Sequence, residues 1–210
     1  MVPHTWNSKT QTQTHRAAWY RTRFSLTAAD THKEIFACFD GAGTVAAVYV
    51  NGVSLGSHRG AYTRFLFDAT RAVRAGDNVL AVCCDTDPTD TDDCLPRGDG
   101  YQLYHVPGGL YRRAFLLETA PVHVDPTDCA ASGVFLTPSA VSADSAALGI
   151  RTLVRNDGPR PASVTVTSTV RDQEGKPVAV VSGQILLPAR TRGTMVRQAA
   201  LPQPHGGSFL

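Results

Sequence analysis

Charge is scarce in this sequence: Asp, Glu, Lys and Arg make up 18% of its 210 residues, against about 25% in an average soluble protein. What charge there is nearly cancels, with 20 Lys and Arg against 18 Asp and Glu. No face-sized basic cluster occurs, so nucleic acid is excluded as an expected partner. No window approaches the roughly 20 apolar residues of a membrane-spanning helix, and no membrane partner is expected. The start, Met1-Val2-Pro3-His4-Thr5-Trp6, lacks the basic segment and apolar run of a signal peptide. Nothing in these residues indicates export.

Catalytic and cofactor motifs are also missing. There is no G-x-S-x-G nucleophile elbow and no phosphate-cradling glycine loop, so no cofactor is expected. The five cysteines are Cys38, Cys83, Cys84, Cys94 and Cys129. Their odd number and the lack of any C-x-x-C pair speak against a disulfide framework or a zinc site. Cys38, Cys83 and Cys84 lie in apolar runs and read as small core residues. Free thiols favour a cytoplasmic setting. No two of the seven histidines stand three or four apart, so no local metal pair forms. The run Asp85 to Asp93 is rich in aspartate, but it lacks the glycine and distal glutamate of a calcium loop and is interrupted by Pro88. It reads as a solvated loop. Glutamate is limited to Glu34, Glu118 and Glu174.

What remains reads almost entirely as strand. Tyr20 to Leu26 alternates large and polar residues with period 2. Glu34–Phe39, Thr44–Val50, Val53–Gly56, Arg64–Asp68 and Asn78–Cys84 are further strands, with Gly76-Asp77 as a turn and a hint of a short helical turn over Ala69–Ala75. Asn51-Gly52 between two β-prone runs predicts a type I′ hairpin. Beyond Pro121 aromatics thin out and Val, Thr, Ala and Pro dominate. Ala146–Val154, Ser163–Val170, Val178–Leu187 and Gly193–Ala200 read as strands separated by the turns Asn156-Asp157-Gly158-Pro159 and Glu174-Gly175-Lys176-Pro177. Such spacing indicates an immunoglobulin-like sandwich. The boundary falls near Pro121-Val122, giving domains 1–121 and 122–210. An immunoglobulin-like sandwich needs about seven strands, and the second domain offers five at most. It is expected to be unfinished, with uncovered apolar residues such as Val164, Val166, Val170 and Ile185, and prone to self-association into a homo-oligomer.

Several local patterns occur in a telling order. Val2-Pro3-His4-Thr5-Trp6-Asn7 opens the chain, and Trp19-Tyr20-Arg21 follows. Phe39-Asp40-Gly41-Ala42 leads into the hairpin Val48-Tyr49-Val50-Asn51-Gly52-Val53. Then come His58-Arg59-Gly60-Ala61-Tyr62-Thr63, Asp77-Asn78-Val79-Leu80 and Gly108-Gly109-Leu110-Tyr111-Arg112. Together they resemble the front end of family 2 glycoside hydrolases, the β-galactosidase, β-glucuronidase and β-mannosidase group. The resemblance implies an all-β chain: a sugar-binding-type jelly-roll sandwich, then an immunoglobulin-like sandwich. The (β/α)8 barrel that follows in the family has no counterpart in this sequence. Most of these residues also have a scaffold reading, with Trp6, Trp19, Tyr49, Phe65 and Phe67 expected to fill the space between the sheets.

Retaining glycosidases need two carboxylates about 5–5.5 Å apart, and in the resembled family both glutamates come from the barrel. None of the three glutamates here matches such a motif, so no catalytic residue is assigned. In the family, the segment before the Gly-Gly-x-Tyr-Arg pattern can reach the sugar. Here it supplies Arg97, Asp99, Tyr101, Tyr104 and His105 as candidate substrate-binding residues at the rim of a pocket; the bland reading is an ordinary polar loop. Many members carry an aspartate where this chain has Leu103, so no carboxylate contact is carried over. The expected role is the non-catalytic part of a β-galactosidase-like enzyme, supporting the barrel and shaping its β-glycoside pocket. The rival readings are a stand-alone carbohydrate-binding module and a purely structural interaction domain.

Overall fold

The computed structural model describes residues 2–6, 17–85 and 107–202. The chain divides into two compact units, Met1–Ala120 and Pro121–Leu210. Their regular structure among the described residues is β-strand, apart from one 3-10 turn at Asp30–His32. The all-β reading holds.

In the first unit, β1 (Ala17–Leu26), β6 (Gly76–Asp85), β3 (Val45–Val50) and β4 (Val53–Arg59) form a four-stranded sheet in that order. Facing it is a three-stranded sheet of β5 (Phe65–Asp68), β2 (Glu34–Phe39) and β7 (Ala114–Thr119), ordered β5-β2-β7. All the pairings are antiparallel. Alternation decides what lies between the sheets. Val48 and Val50 of β3, Val82 and Cys84 of β6, Ala37 and Phe39 of β2 and Phe65 of β5 are buried. Fully burying a side chain of valine or phenylalanine size stabilises by about 1.5–3 kcal/mol.

The Asn51-Gly52 hairpin forms as expected, with φ of 52° and 82° at the two turn residues. Both values lie in the left-handed region that a type I′ turn demands. Its Asn51 side chain does further work. Nδ2 donates to Asn78 Oδ1 and Ala72 O, each at 2.8 Å, while Oδ1 accepts from Val79 N at 2.9 Å. Asn78 is fully buried, and its own amide donates to the backbone oxygens of Arg74 and Gly76.

Two expectations for this unit are corrected and one holds. Gly76-Asp77 is not a separate turn: β1 runs long enough to pair Leu26 with Gly76, which draws both residues into β6. The short helical turn expected at Ala69–Ala75 is present, with Ala72 N and Val73 N both donating to Ala69 O. Trp19 does not fill the core. It is 64% exposed, because consecutive strand residues point to opposite faces and Tyr20, its neighbour, takes the inward position. Tyr49 lies on the same outward face, beside Trp19 at a ring separation of 5.7 Å.

The second unit contains β8 (Val122–Val124), β9 (Val134–Ser139), β10 (Ser145–Asn156), β11 (Ala162–Arg171), β12 (Pro177–Leu187) and β13 (Thr191–Pro202). These six strands exceed the five expected, because three-residue β8 and proline-containing β9 carry little pattern. β10 pairs along its length with β13. Its other edge is shared: β9 takes Ala147–Thr152 and β8 takes Val154–Asn156. β11 and β12 form a separate two-stranded sheet. Leu148, Ile150 and Ala199 form the core, with Val170, Ala179, Val181 and Leu201 packed against it. Val164, Val166, Val170 and Ile185 are only half-buried. Among the described residues, β11 pairs with β12 alone.

Candidate functional site

The sequence directs attention to one end of the first unit, where β6 stops at Asp85 and the described chain resumes at Pro107. Short backbone contacts tie these flanks to the Gly43-Thr44 stretch before β3. Thr44 N donates to Asp85 O at 2.9 Å, and Gly43 N donates to Gly109 O at 3.0 Å. Residues 86–106 therefore span two flanks held by adjacent residues of one strand approach. The opening segment joins the same cluster: His4 N donates to Leu110 O at 2.7 Å and Trp6 N to Gly108 O at 3.4 Å.

The glycines here are required by close approach. A methyl group on Gly108 would enter the Trp6 indole, and one on Gly109, whose φ is +97°, would meet Tyr20 Oη. His4 Nδ1 lies 3.0 Å from Tyr20 Oη. Burial pushes the Tyr20 phenol above its ordinary pKa, keeping it a neutral hydrogen-bonding group. Tyr111 Oη donates to Ala61 O at 2.5 Å. Asp40 accepts from Arg113 Nε at 3.0 Å and lies 3.5 Å from Arg64 Nε. His58 stacks on Phe65 at 4.2 Å and an 11° interplanar angle, and burial lowers its pKa. The opening, Trp-Tyr-Arg, Asp-Gly, His-Arg-Gly and Gly-Gly patterns are thus brought together or locked down as scaffold.

Arg97, Asp99, Tyr101, Tyr104 and His105 all lie outside the described residues, as does Asp87–Asp93 of the acidic run. The glutamates do not form a catalytic pair. Thr119 stands opposite Glu34, and Glu118 stands opposite Ile35. Directly opposed residues share a face, and neighbours in a strand take opposite faces. Glu34 and Glu118 therefore point to opposite sides of their sheet, and Glu118 is engaged by Lys33 at 2.8 Å. Glu174 belongs to the other unit. Among the described residues, no three His, Cys, Asp or Glu side chains gather to hold a metal, and no helix is long and apolar enough to cross a membrane. Cys38 and Cys84 are buried free thiols, Cys83 is half-buried and Cys129 is exposed.

The sequence does not foretell a slot of about 490 Å³ between the edge strands β1 and β7. Phe24, Phe39, Leu80, Val82, Leu110 and Leu116 line its depth, and Arg21, Arg23 and Arg113 its margin. Among the described residues no carboxylate lines it, so they do not supply there the paired acids that glycoside hydrolysis requires. The apolar residues that form it are indistinguishable in sequence from ordinary core.

Comparison with known proteins places these features in context. The family model described as glycosyl hydrolase 2 galactose-binding domain-like matches residues 3–113. The chain is 32% identical to the β-galactosidase BoGH2A of Bacteroides ovatus, over 89% of this chain and 20% of that protein. It is 28% identical to a β-glucuronidase of Formosa agariphila, over 88% of this chain and 20% of that protein. The solved Bacteroides uniformis β-glucuronidase superposes with a TM-score of 0.87 at 30% identity, over 97% of this chain and 24% of that one. The chain thus spans about a fifth of the length of the curated relatives it matches.

Proposed function

Because the chain belongs to the glycosyl hydrolase 2 galactose-binding domain-like family, we propose that it acts as the non-catalytic N-terminal portion of a β-glycosidase, most like a β-galactosidase, that supports the catalytic barrel and shapes the rim of its sugar pocket. One observation carries the reading of the site. The flanks of residues 86–106 are anchored on both sides to Gly43-Thr44, in a cluster built from the family-like residues His4, Trp6, Tyr20, Gly108 and Gly109. That is the arrangement a scaffold uses to present a functional segment from a rigid base. In this reading Arg97, Asp99, Tyr101, Tyr104 and His105 present stacking and hydrogen-bonding groups to a β-glycoside. The carboxylates that cleave the glycosidic bond come from elsewhere, since Glu34 and Glu118 face opposite ways.

The test is replacement. This chain is substituted for the matching segment of the Bacteroides ovatus enzyme, and hydrolysis of a chromogenic β-galactoside is measured. The expected result is an active chimera whose KM rises about tenfold with Tyr101→Ala or His105→Ala while kcat changes little. This pattern marks lost binding that is uniform between substrate and transition state. A folded chimera in which both substitutions leave KM and kcat unchanged defeats the rim assignment.

A further inference from the structure

The two sheets of the first unit meet along one margin, where β4 lies against β5. The opposite margin is formed by β1 and β7. Among the described residues β1 pairs with β6 alone, and β7 with β2 alone. The slot of about 490 Å³ follows this margin, lined by consecutive residues of both edges, 21–24 of β1 and 113–116 of β7. The core is thinly covered here. Thr22 belongs to the inward set of β1, between Tyr20 and Phe24, yet it is exposed. Its cross-strand neighbour Leu80 and Leu116 of β7 are only half-buried, whereas Val48 and Val50 of β3 are fully buried.

We infer that this margin is a strand-acceptor site: it takes an extended segment of another polypeptide, alternately apolar and acidic, as a further strand on β1. The inference is independent of the function proposed above. Backbone N–H and C=O groups along a free strand edge are a template for such addition, and pockets for alternate side chains give it specificity. Successive side chains of the added strand point to opposite faces. One set enters the slot over Phe24, Leu80 and Leu116. The other emerges on the outer face beside Arg21 and Arg23, which form no ion pair with any described residue. Opposite charges directly across a strand pair are stabilising, so that set is acidic.

The same residues decide against other occupants. A second copy of β1 (Ala17–Leu26) paired antiparallel must keep its inward face inward. The two longest registers that do so set Arg21 opposite either Arg21 or Arg23 of the copy, and like charges directly opposite are destabilising. A glycan has no apolar side chains for the depth lined by Phe24, Phe39, Leu80 and Val82. A compact amphiphilic anion fits that depth and the arginines but leaves the edge of β1 without backbone partners. An extended acidic and apolar peptide meets all three demands.

The test is binding of fluorescein-labelled ten-residue peptides to the 210-residue chain, followed by anisotropy. A peptide of alternating glutamate and valine should bind at least tenfold more tightly than one of lysine and valine, or one of glutamate and serine. Arg21→Glu with Arg23→Glu should reverse the preference between the glutamate and lysine peptides, a reversal that loss of fold does not imitate. Two N-methylated forms of the glutamate-valine peptide, blocked at the glutamates or at the valines, probe the backbone, because alternate amides of a strand point to opposite edges. One form should lose binding at least tenfold and the other keep it. With the unmodified peptide bound, amides of β1 should exchange with deuterium at least tenfold more slowly, while those of β11, the free edge of the second unit, are unchanged. Failure of the glutamate-valine peptide to bind overturns the inference. So does binding that neither N-methylated form weakens, which would make the occupant a mere apolar anion, and so does protection that falls on β11 instead of β1.

Discussion

Asn78 shows how much a single residue contributes to the first unit. Its buried amide links Asn51 of the hairpin to the backbone of Arg74 and Gly76. Asn78→Leu keeps roughly the volume but strands those donors and acceptors, and each unsatisfied buried group costs about 1–3 kcal/mol. The expected loss is about 3 kcal/mol or more, read from the urea midpoint. Asp125 is the second unit's counterpart. Burial alone would raise its pKa, but hydrogen bonds from Thr127 and the charges of Arg192 and Arg155 outweigh burial and leave it lowered. A carboxyl whose folded pKa is depressed stabilises the fold above its unfolded value, near 3.9, and loses that contribution as pH falls through the folded pKa. Asp125→Asn should therefore be less stable than wild type at pH 7, and urea midpoints should show the gap closing towards pH 3. Among the described thiols, Cys129 is exposed, whereas burial pushes Cys84 up to about 12. Since the thiolate is the reactive form, native alkylation followed by mass spectrometry should label Cys129 long before Cys84 or Cys38.

At the scale of elements, strand position decides local stability. β10 is bonded on both edges, by β13 and by β8 with β9. β11 has one described partner, β12. The β11 amides that point away from β12 should exchange with deuterium at least tenfold faster than those of β10, because protection follows how completely a segment is paired and buried. Equal protection would mean that the outer edge of β11 is covered in solution. Elements were also the most legible level of the sequence. The Asn51-Gly52 hairpin was readable because only a few residue types tolerate positive φ at both positions, and the period-2 strands because alternation is intrinsic to the backbone. β8 and β9 were not readable: three residues cannot show a period, and Pro138 disguises a strand. Trp19 was misassigned because an aromatic in a strand marks a face without saying whether that face is covered.

For the whole molecule, the expected behaviour alone is catalytic silence. Purified chain should not hydrolyse chromogenic β-galactosides or β-glucuronides above background, and turnover that vanishes with Glu34→Gln or Glu118→Gln would overturn that expectation. The sequence by itself determined the all-β class, the hairpin, the ordered patterns that join the chain to family 2 glycoside hydrolases, and the lack of a matching glutamate pair. These are local properties: periodicity, turn chemistry and short motifs are written in consecutive residues. Only the tertiary structure decided that Glu34 and Glu118 point apart, that Gly43-Thr44 anchors both flanks of the candidate rim, and that Trp19 and Tyr49 meet on the outward face of their sheet. Each depends on the register between strands distant in sequence. A shift of one residue turns every side chain of a strand to the other face, and that register is set by packing across the whole sandwich.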